Sequence, residues 1–410
     1  MPEQIDILVI GAGQAGLCIS YYLTQYGRDH LILEQASSSI PTWRKRWDSF
    51  TLVLPNWTVR LPGMPVKEDI ANSFFTKEEL LTHFDAFIAT FNPPIRFDTQ
   101  VISVESNTAH HNYLVQTNRG MIEANHVVIA TGTFQKPRIP ALSAEIAPDI
   151  LQLHTDNYRN PEELPGGAVL VIGTGQSGCQ IAQELYQSGR KVYLSVSSVP
   201  RVSRTYRGKD IIWWLEKTGF MSAHVSTLQS SRMRFAPNPL TTGKNGGGNL
   251  NLHRFAKDGV TLLGHALSAK GSILSFAPDL IESLTKSDAF AAQIEKNIDA
   301  FILAQGIDAP AAESIPPLRD GYDAETIQEI DLYHSDIRTI IWGTGYQFDF
   351  NWIKLPILDA DGYPIQERGV SNYPGLYFVG LAFLASRKSG FLLGVAADAE
   401  YLAQYIHTQS

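Results

Sequence analysis

Laid on itself with a shift of 162 residues, this chain matches over 24 positions without a gap, residues 11–34 against 173–196, and nine of those positions are identical. They are Gly11/Gly173, Gly13/Gly175, Gln14/Gln176, Gly16/Gly178, Ile19/Ile181, Leu23/Leu185, Gln25/Gln187, Gly27/Gly189 and Arg28/Arg190. A G-x-G-x-x-G run is weak evidence alone, because glycine-rich turns arise by chance. Here both copies follow an apolar run and open a helical pattern, and that context makes them specific. The chain must therefore build one strand–turn–helix–strand unit twice. The expected fold class is α/β, with two Rossmann-like dinucleotide-binding domains.

In the first copy the pattern predicts a strand over 5–10, a helix over 14–26 and a second strand over 30–33 that ends at Glu34. Gly11, Gly13 and Gly16 permit a tight turn, close backbone approach to a pyrophosphate and close helix packing, and the helix-terminal N–H groups face its negative charge. Glu34, 18 residues beyond Gly16, is placed to accept hydrogen bonds from a ribose. The second copy predicts a strand over 168–172, the turn Gly173, Gly175 and Gly178, a helix over 176–187 and a strand over 191–196. Val196 stands where the first copy has Glu34, and Ser197, Ser198, Arg201 and Arg204 follow. No carboxylate is left there to repel a 2′-phosphate, and hydroxyls and guanidinium groups suit one, which predicts NADPH in preference to NADH.

The residues 127–129 run into Ala130-Thr131-Gly132, and 339–342 run into Gly343-Thr344-Gly345-Tyr346, each a strand feeding a tight turn. Pro137, Pro140, Pro148, Pro161 and Pro165 between them argue for linkers crossing between two sheets. The second domain is accordingly placed inside the first: 1–150 and 331–410 form one domain, 151–330 the inserted one. The stretch 206–251, with Trp213-Trp214 and the glycine run 242–249, reads as a long loop of a kind often found as a lid or a disordered segment. Residues 390–406 read as a final helix with Ser389 as a candidate cap, and Gly380, after a strand over 376–379, permits an approach to ligand.

Composition narrows the function. The formal charge of -8 and pI of 5.8 argue against a nucleic-acid partner. Two cysteines, Cys18 and Cys179, are too few and too far apart for a CxxC pair, a disulfide framework or a thiolate metal cluster. No apolar run approaches about 18 residues, and a strand beginning at residue 5 leaves no room for a cleavable leader, so a soluble cytoplasmic protein without a transmembrane segment is expected. No Ser/His/Asp array, paired-carboxylate motif or metal-ligand cluster stands out, and no metal is expected.

Taken together, the first glycine turn with Glu34, the Ala130-Thr131-Gly132 turn, the second glycine turn, Gly343-Thr344-Gly345-Tyr346 and the C-terminal helix resemble the class B flavoprotein monooxygenases. Flavin-containing monooxygenases and the plant auxin-forming enzymes belong to that family. The resemblance covers nearly the whole chain, with 206–331 matching only loosely. It implies FAD at the first turn and NADP at the second. It extends to the run 43–50, continuing through Leu54-Pro55-Asn56 to Leu61-Pro62-Gly63, which is similar to the family's segment along the flavin. There Arg46 is expected to pair with the diphosphate and Trp43 or Trp47 to stack on the ring system. The cofactor contacts it implies further include Gln14, Ala15, Val101, Thr131, Gly132, Gln176, Ser177, Thr344, Gly345, Gly380 and Ser389. Asn56 is similar in position to the family's active-site asparagine and is the expected catalytic residue.

One departure stands out: the family motif FxGxxxHxxx followed by an aromatic has as its only candidate His154 with Tyr158, where Pro148 and Ile150 replace the Phe and Gly. This argues against the Baeyer-Villiger subgroup. The mechanism the resemblance implies is hydride transfer from NADPH to FAD, then transfer of one oxygen atom of O2 through a C4a-(hydro)peroxyflavin to a small-molecule substrate. Two alternatives stay open: a flavin disulfide-type reductase or oxidase without oxygen transfer, and a non-catalytic FAD/NADPH-binding sensor. A homodimer also stays open.

Overall fold

The computed structural model describes every residue except 1, 108, 111, 314, 315 and 410. The strand Glu3–Ile10 pairs in parallel with His30–Leu33 on one side and Gly120–Ile129 on the other. Its residues Ile7 to Ile10 are buried, as the apolar run of a strand covered on both faces must be. Around it the sheet runs Gln366–Glu367, Val370–Ser371, Leu376–Phe378, Gly120–Ile129, Glu3–Ile10, His30–Leu33 and Ile95–Arg96, with the hairpin strands Val101–Asn107 and Asn112–Thr117 joined to Gly120–Ile129. The helix Gln14–Gln25 buries Leu17, Cys18, Ile19 and Leu23 and packs against the C-terminal helix Val395–Thr408.

The second sheet is parallel throughout, in the order Thr261–Leu263, Val192–Ser195, Ala168–Ile172, Ile337–Trp342 and Leu151–His154. Its central strand Ala168–Ile172 is buried at every position, and the helix Gln176–Gln187 repeats the crossover of the first unit. The identities outside the glycine turns now have causes. Gly27 and Gly189 take positive φ of 65° and 87° just past the two helices, where residues with a Cβ are strained. The arginines that follow anchor the returning chain: Arg28 pairs with Asp6 at 2.7 Å, and Arg190 donates to the carbonyls of Pro161, Leu164, Pro165 and Gly167.

The chain leaves the first sheet after Gly120–Ile129 and returns to it at Gln366–Glu367, and the strands of the second sheet lie between. Ile337–Trp342 pairs with Ala168–Ile172 and Leu151–His154, so the second unit extends through Trp342 and does not close at 330. The apolar run Ile340-Ile341-Trp342 fills a slot between two parallel strands, as Val127–Ile129 does in the first sheet. Beyond it Tyr346–Gln347 pairs antiparallel with Lys136–Pro137, and the two linkers cross between the units as one ribbon.

Two further expectations are corrected. The stretch 206–251 is not a bare loop: Asp210 accepts from Ile212 N and so caps the helix Ile211–Lys217. Its glycine run is packed, with Gly243 so close to Leu52 O that a Cβ would lie 2.0 Å away and Gly247 (φ +99°) 2.9 Å from Phe74. The final helix begins at Val395, not at 390, with Gly394 at its N-cap. Ser389 instead lies in the short 3-10 turn Arg387–Gly390, where its Oγ accepts from Ala385 N and Ser386 N. No helix among the described residues is long and apolar enough to cross a membrane.

Burial holds the imidazoles of His30, His83, His126 and His154 below their ordinary value of 6.5. The unfolded chain takes up these protons as pH falls through 6.5, whereas the folded chain resists until lower pH. Stability is therefore complete above that value and lost below it, at up to about 1.4 kcal/mol per pH unit for each histidine. The urea midpoint is expected to fall between about pH 7.5 and about pH 5.5, and a midpoint that does not move would contradict this.

Candidate functional site

The first glycine turn is closed by backbone contacts that exclude side chains. Gly11 has φ +107°, and a Cβ on it would lie 2.8 Å from Ala130 O; on Gly16 a Cβ would lie 1.9 Å from Gly11 O. Beside Gly13 the space is open, and Gly13 is the N-cap of a helix that no side chain caps. The first-turn N–H groups are thus left for an anionic ligand, and the cradle fits a pyrophosphate. Glu34, 4% exposed, accepts from Ala12 N and Ala36 N at 2.8 Å each, which fixes its carboxylate beside the turn. Thr99, two residues before Val101 at the head of its strand, donates its N–H to Glu34 O at 2.9 Å. Gly380 (φ +80°) lies against Ala15, 2.4 Å from where its Cβ would stand. Gln135 Nε2 bridges Thr131 Oγ1 (3.0 Å) and Gly132 O (2.9 Å). These residues gather around the first glycine turn.

Gln14 joins this site to the segment before the last helix, donating to Gly390 O at 3.1 Å and accepting from Trp43 Nε1 at 3.3 Å. Trp47 is 3% exposed and packs edge-on against Phe50 at 5.1 Å, so it belongs to the core and not to a stacking platform. Arg46 is placed at the crossing of the two units. Its guanidinium carbon lies 5.1 Å from the Phe134 ring, 5.8 Å from Phe50 and 5.9 Å from Trp43, and its buried Nε has no hydrogen-bond partner among the described residues. Burial lowers its basicity, opposed by Tyr346 and Asp156, which are themselves joined by a 2.6 Å hydrogen bond. Asn56 is 2% exposed: Oδ1 accepts from Phe75 N at 2.6 Å and Nδ2 donates to Ile70 O at 3.1 Å. One Nδ2 hydrogen remains for any further partner.

The second turn repeats the first. A Cβ on Gly173 (φ +106°) would lie 2.5 Å from Gly343 O, and one on Gly178 would lie 2.1 Å from Gly173 O; Gly175 is again an N-cap without side-chain capping. Ser177 is part-exposed in the first turn of that helix, and Gln176 holds Thr241 by both its N–H (3.2 Å) and its carbonyl (2.5 Å). Thr174, which no motif marked, exchanges hydrogen bonds of 3.0 Å with the backbone of Ser197. Thr344 donates to Arg138 O, and Gly345 O accepts from Arg138 N (2.9 Å) and His154 Nε2 (3.0 Å). His154 Nδ1 accepts from Asp156 N and Tyr158 donates to Glu184 at 2.9 Å, so both act as packing and positioning groups.

The two arginines expected at a ribose phosphate are both ion-paired. Arg201 Nε donates to Asp288 at 2.6 Å, and Asp288 also accepts from His253 and Tyr322. Arg204 is engaged at all three of its side-chain nitrogens. Its Nε and Nη2 both bond Asp210, its Nη1 donates to Val53 O at 2.8 Å, and the guanidinium lies 4.7 Å from the Phe74 ring. With its side chain 7% exposed, it ties the insertion to the first unit.

Cys18 and Cys179 are fully buried in separate helices of separate units, and burial pushes both thiols up to about 12.

Over residues 8–216 the chain matches the family described as pyridine nucleotide-disulphide oxidoreductase. It is 33% identical, over 98% of each chain, to the uncharacterized oxidoreductase CzcO-like of Geobacillus kaustophilus. It is 28% identical to the indole-3-pyruvate monooxygenase YUCCA1 of Oryza sativa over 197 residues, 48% of each chain. A solved flavin-containing monooxygenase from Stenotrophomonas maltophilia shares the fold with a TM-score of 0.68 at 18% identity, covering 99% of both chains.

Proposed function

The chain belongs to the pyridine nucleotide-disulphide oxidoreductase family, beside the CzcO-like oxidoreductases, and from that membership we propose an FAD-dependent, NADPH-consuming monooxygenase that places one oxygen atom of O2 on a small-molecule substrate. The observation that carries this reading is the pair of closed glycine turns, each ending on an uncapped helix N-terminus, in a chain whose two thiols are sealed apart. Such a chain has two dinucleotide sites and no thiol pair of its own to accept electrons. When bound, NADPH supplies hydride and FAD supplies its acceptance and the reaction with O2.

The residues of this chain do the binding and the exclusion of water. Gly11, Gly13 and Gly16 admit the FAD pyrophosphate to the helix N-terminus, and Glu34 meets its ribose. Gly173, Gly175 and Gly178 do the same for NADP, with Ser197 and Arg201 nearest its ribose phosphate. Arg201 stays in this role because its two Nη groups have no hydrogen bond among the described residues. Asn56, whose Nδ2 keeps one hydrogen beyond its bond to Ile70 O, would donate it at the reacting site. Among the relatives, YUCCA1 is named for monooxygenation of indole-3-pyruvate, which supports oxygen transfer as the reaction class here.

With NADPH in air the holoenzyme is expected to take up O2, and under nitrogen it should fail to reduce the disulfide dithiobis(nitrobenzoate). Rapid anaerobic disulfide reduction would favour the reductase alternative, and no NADPH consumption at all would favour a sensor.

A further inference from the structure

Arg387 lies three residues before Gly390, whose carbonyl accepts from Gln14 of the first glycine turn. Its guanidinium carbon is sandwiched 4.3 Å from the Phe220 ring and 4.9 Å from the Phe383 ring. No hydrogen bond or ion pair to that guanidinium is found among the described residues, and its Nε is fully buried without a partner. Burial lowers its basicity with no acid acting against it. The adjacent Lys388 differs: it is neutralised by Glu216 at 3.1 Å and also donates to Ser222. A partly buried cation without a counter-charge is costly unless a ligand supplies one, and stacking on two rings offsets only part of that cost.

The surroundings are rigid and apolar. The backbone of 385–388 is stitched to 221–225 by Arg387 N to Ala223 O, Lys388 N to Met221 O and Val225 N to Ala385 O. Phe383 is held at φ +55°, a left-handed conformation strained for a bulky residue and of a kind that gathers at ligand sites. Phe220 packs against the apolar cluster that contains Trp214 and Leu393, as do Phe290, Phe391 and Trp57, the neighbour of Asn56. A cation therefore stands at the edge of an apolar cluster that also reaches Trp57, the neighbour of Asn56.

We propose that Arg387, clamped between Phe220 and Phe383, anchors the carboxylate of an aromatic or otherwise apolar acid, which is the substrate class of this site. The proposal rests on the monooxygenase reading only in calling that acid a substrate. Arg is suited to the task because its planar fork engages both carboxylate oxygens.

The test is equilibrium binding to the FAD-loaded protein, with phenylpyruvate, 4-hydroxybenzoate and octanoate each compared with its methyl ester. At least one acid is expected to bind about tenfold or more tightly than its ester, with Arg387→Gln erasing the difference and Arg387→Lys keeping part of it. The wild-type comparison needs no variant, so it decides the matter even if Arg387→Gln fails to fold. The proposal is overturned if no acid is preferred, if the preference survives in Arg387→Gln, or if the variants lose FAD or NADPH affinity to the same extent, which would make Arg387 a cofactor anchor. Binding requires no turnover. Acid preference without O2 uptake would therefore sink the monooxygenase reading alone, and O2 uptake without acid preference would sink this proposal alone.

Discussion

Gly16→Ala is expected to cost the protein its FAD. The added Cβ would lie 1.9 Å from Gly11 O and 3.0 Å from Gly11 C, and both are backbone atoms that no side-chain rotation can move away. The turn must open, and the N–H groups it aligns on the pyrophosphate separate. Overpacking of this kind typically costs about 1–3 kcal/mol, or roughly five- to 150-fold in affinity where the strain falls on the ligand-binding conformation. Gly27→Ala is the matched control: it also places a Cβ on a glycine of positive φ (+65°), but with no atom within 4 Å. It should lose about 1 kcal/mol of stability and keep its flavin. The ratio of FAD to protein after dialysis separates the two, and equal retention would show that the first turn does not hold the cofactor.

Arg204→Ala should be the most destabilising of the charge-removing substitutions near the second turn. It leaves Asp210 without its cation and Val53 O without its donor, in a contact where the arginine side chain is 7% exposed and the aspartate 22%. Removing one partner of a buried pair costs about 3–5 kcal/mol. Arg201→Ala, which leaves Asp288 its His253 and Tyr322 partners, should lower the urea midpoint less than Arg204→Ala does and raise KM for NADPH more than for NADH, by about tenfold, through loss of a charged phosphate contact. If Arg204→Ala were stable and lost only its nucleotide preference, the ribose phosphate would belong to Arg204 after all.

These two arginines mark the limit of what the sequence makes legible. Strand and helix positions followed from periodicity, because an apolar run between a turn and a glycine has few other ways to bury itself. The glycine turns were legible for the same reason: backbone crowding at Gly11, Gly16, Gly173 and Gly178 is local, within a few residues or one neighbouring strand. The partners of Arg201 and Arg204 were not. Asp288 stands 87 residues from Arg201, and nothing in the spacing ties them together. Asp210 is only six residues from Arg204, yet it also caps a helix that the Trp213-Trp214 run did not announce. The C-terminal boundary failed where two readings of one pattern competed. A helical stripe from 390 onward is compatible with the sequence, but Ser389 spends its oxygen on Ala385 and Ser386 and the chain turns again before Val395. The glycine run 242–249 decides nothing as a sequence, because the same missing side chains suit a loose loop and close packing; here Gly243 and Gly247 pack on Leu52 and Phe74.

Under the proposed function the two glycine turns work as one device, with hydride passing from a nucleotide held by the second unit to FAD held by the first. Anaerobic rapid mixing of the FAD-loaded protein with NADPH tests it directly, by following the visible flavin absorbance. Saturable bleaching is expected in the wild type, and in Gly178→Ala, where a Cβ would lie 2.1 Å from Gly173 O, retention of FAD with bleaching slowed by roughly tenfold or more. A wild-type flavin that dithionite reduces but NADPH leaves oxidised would contradict it.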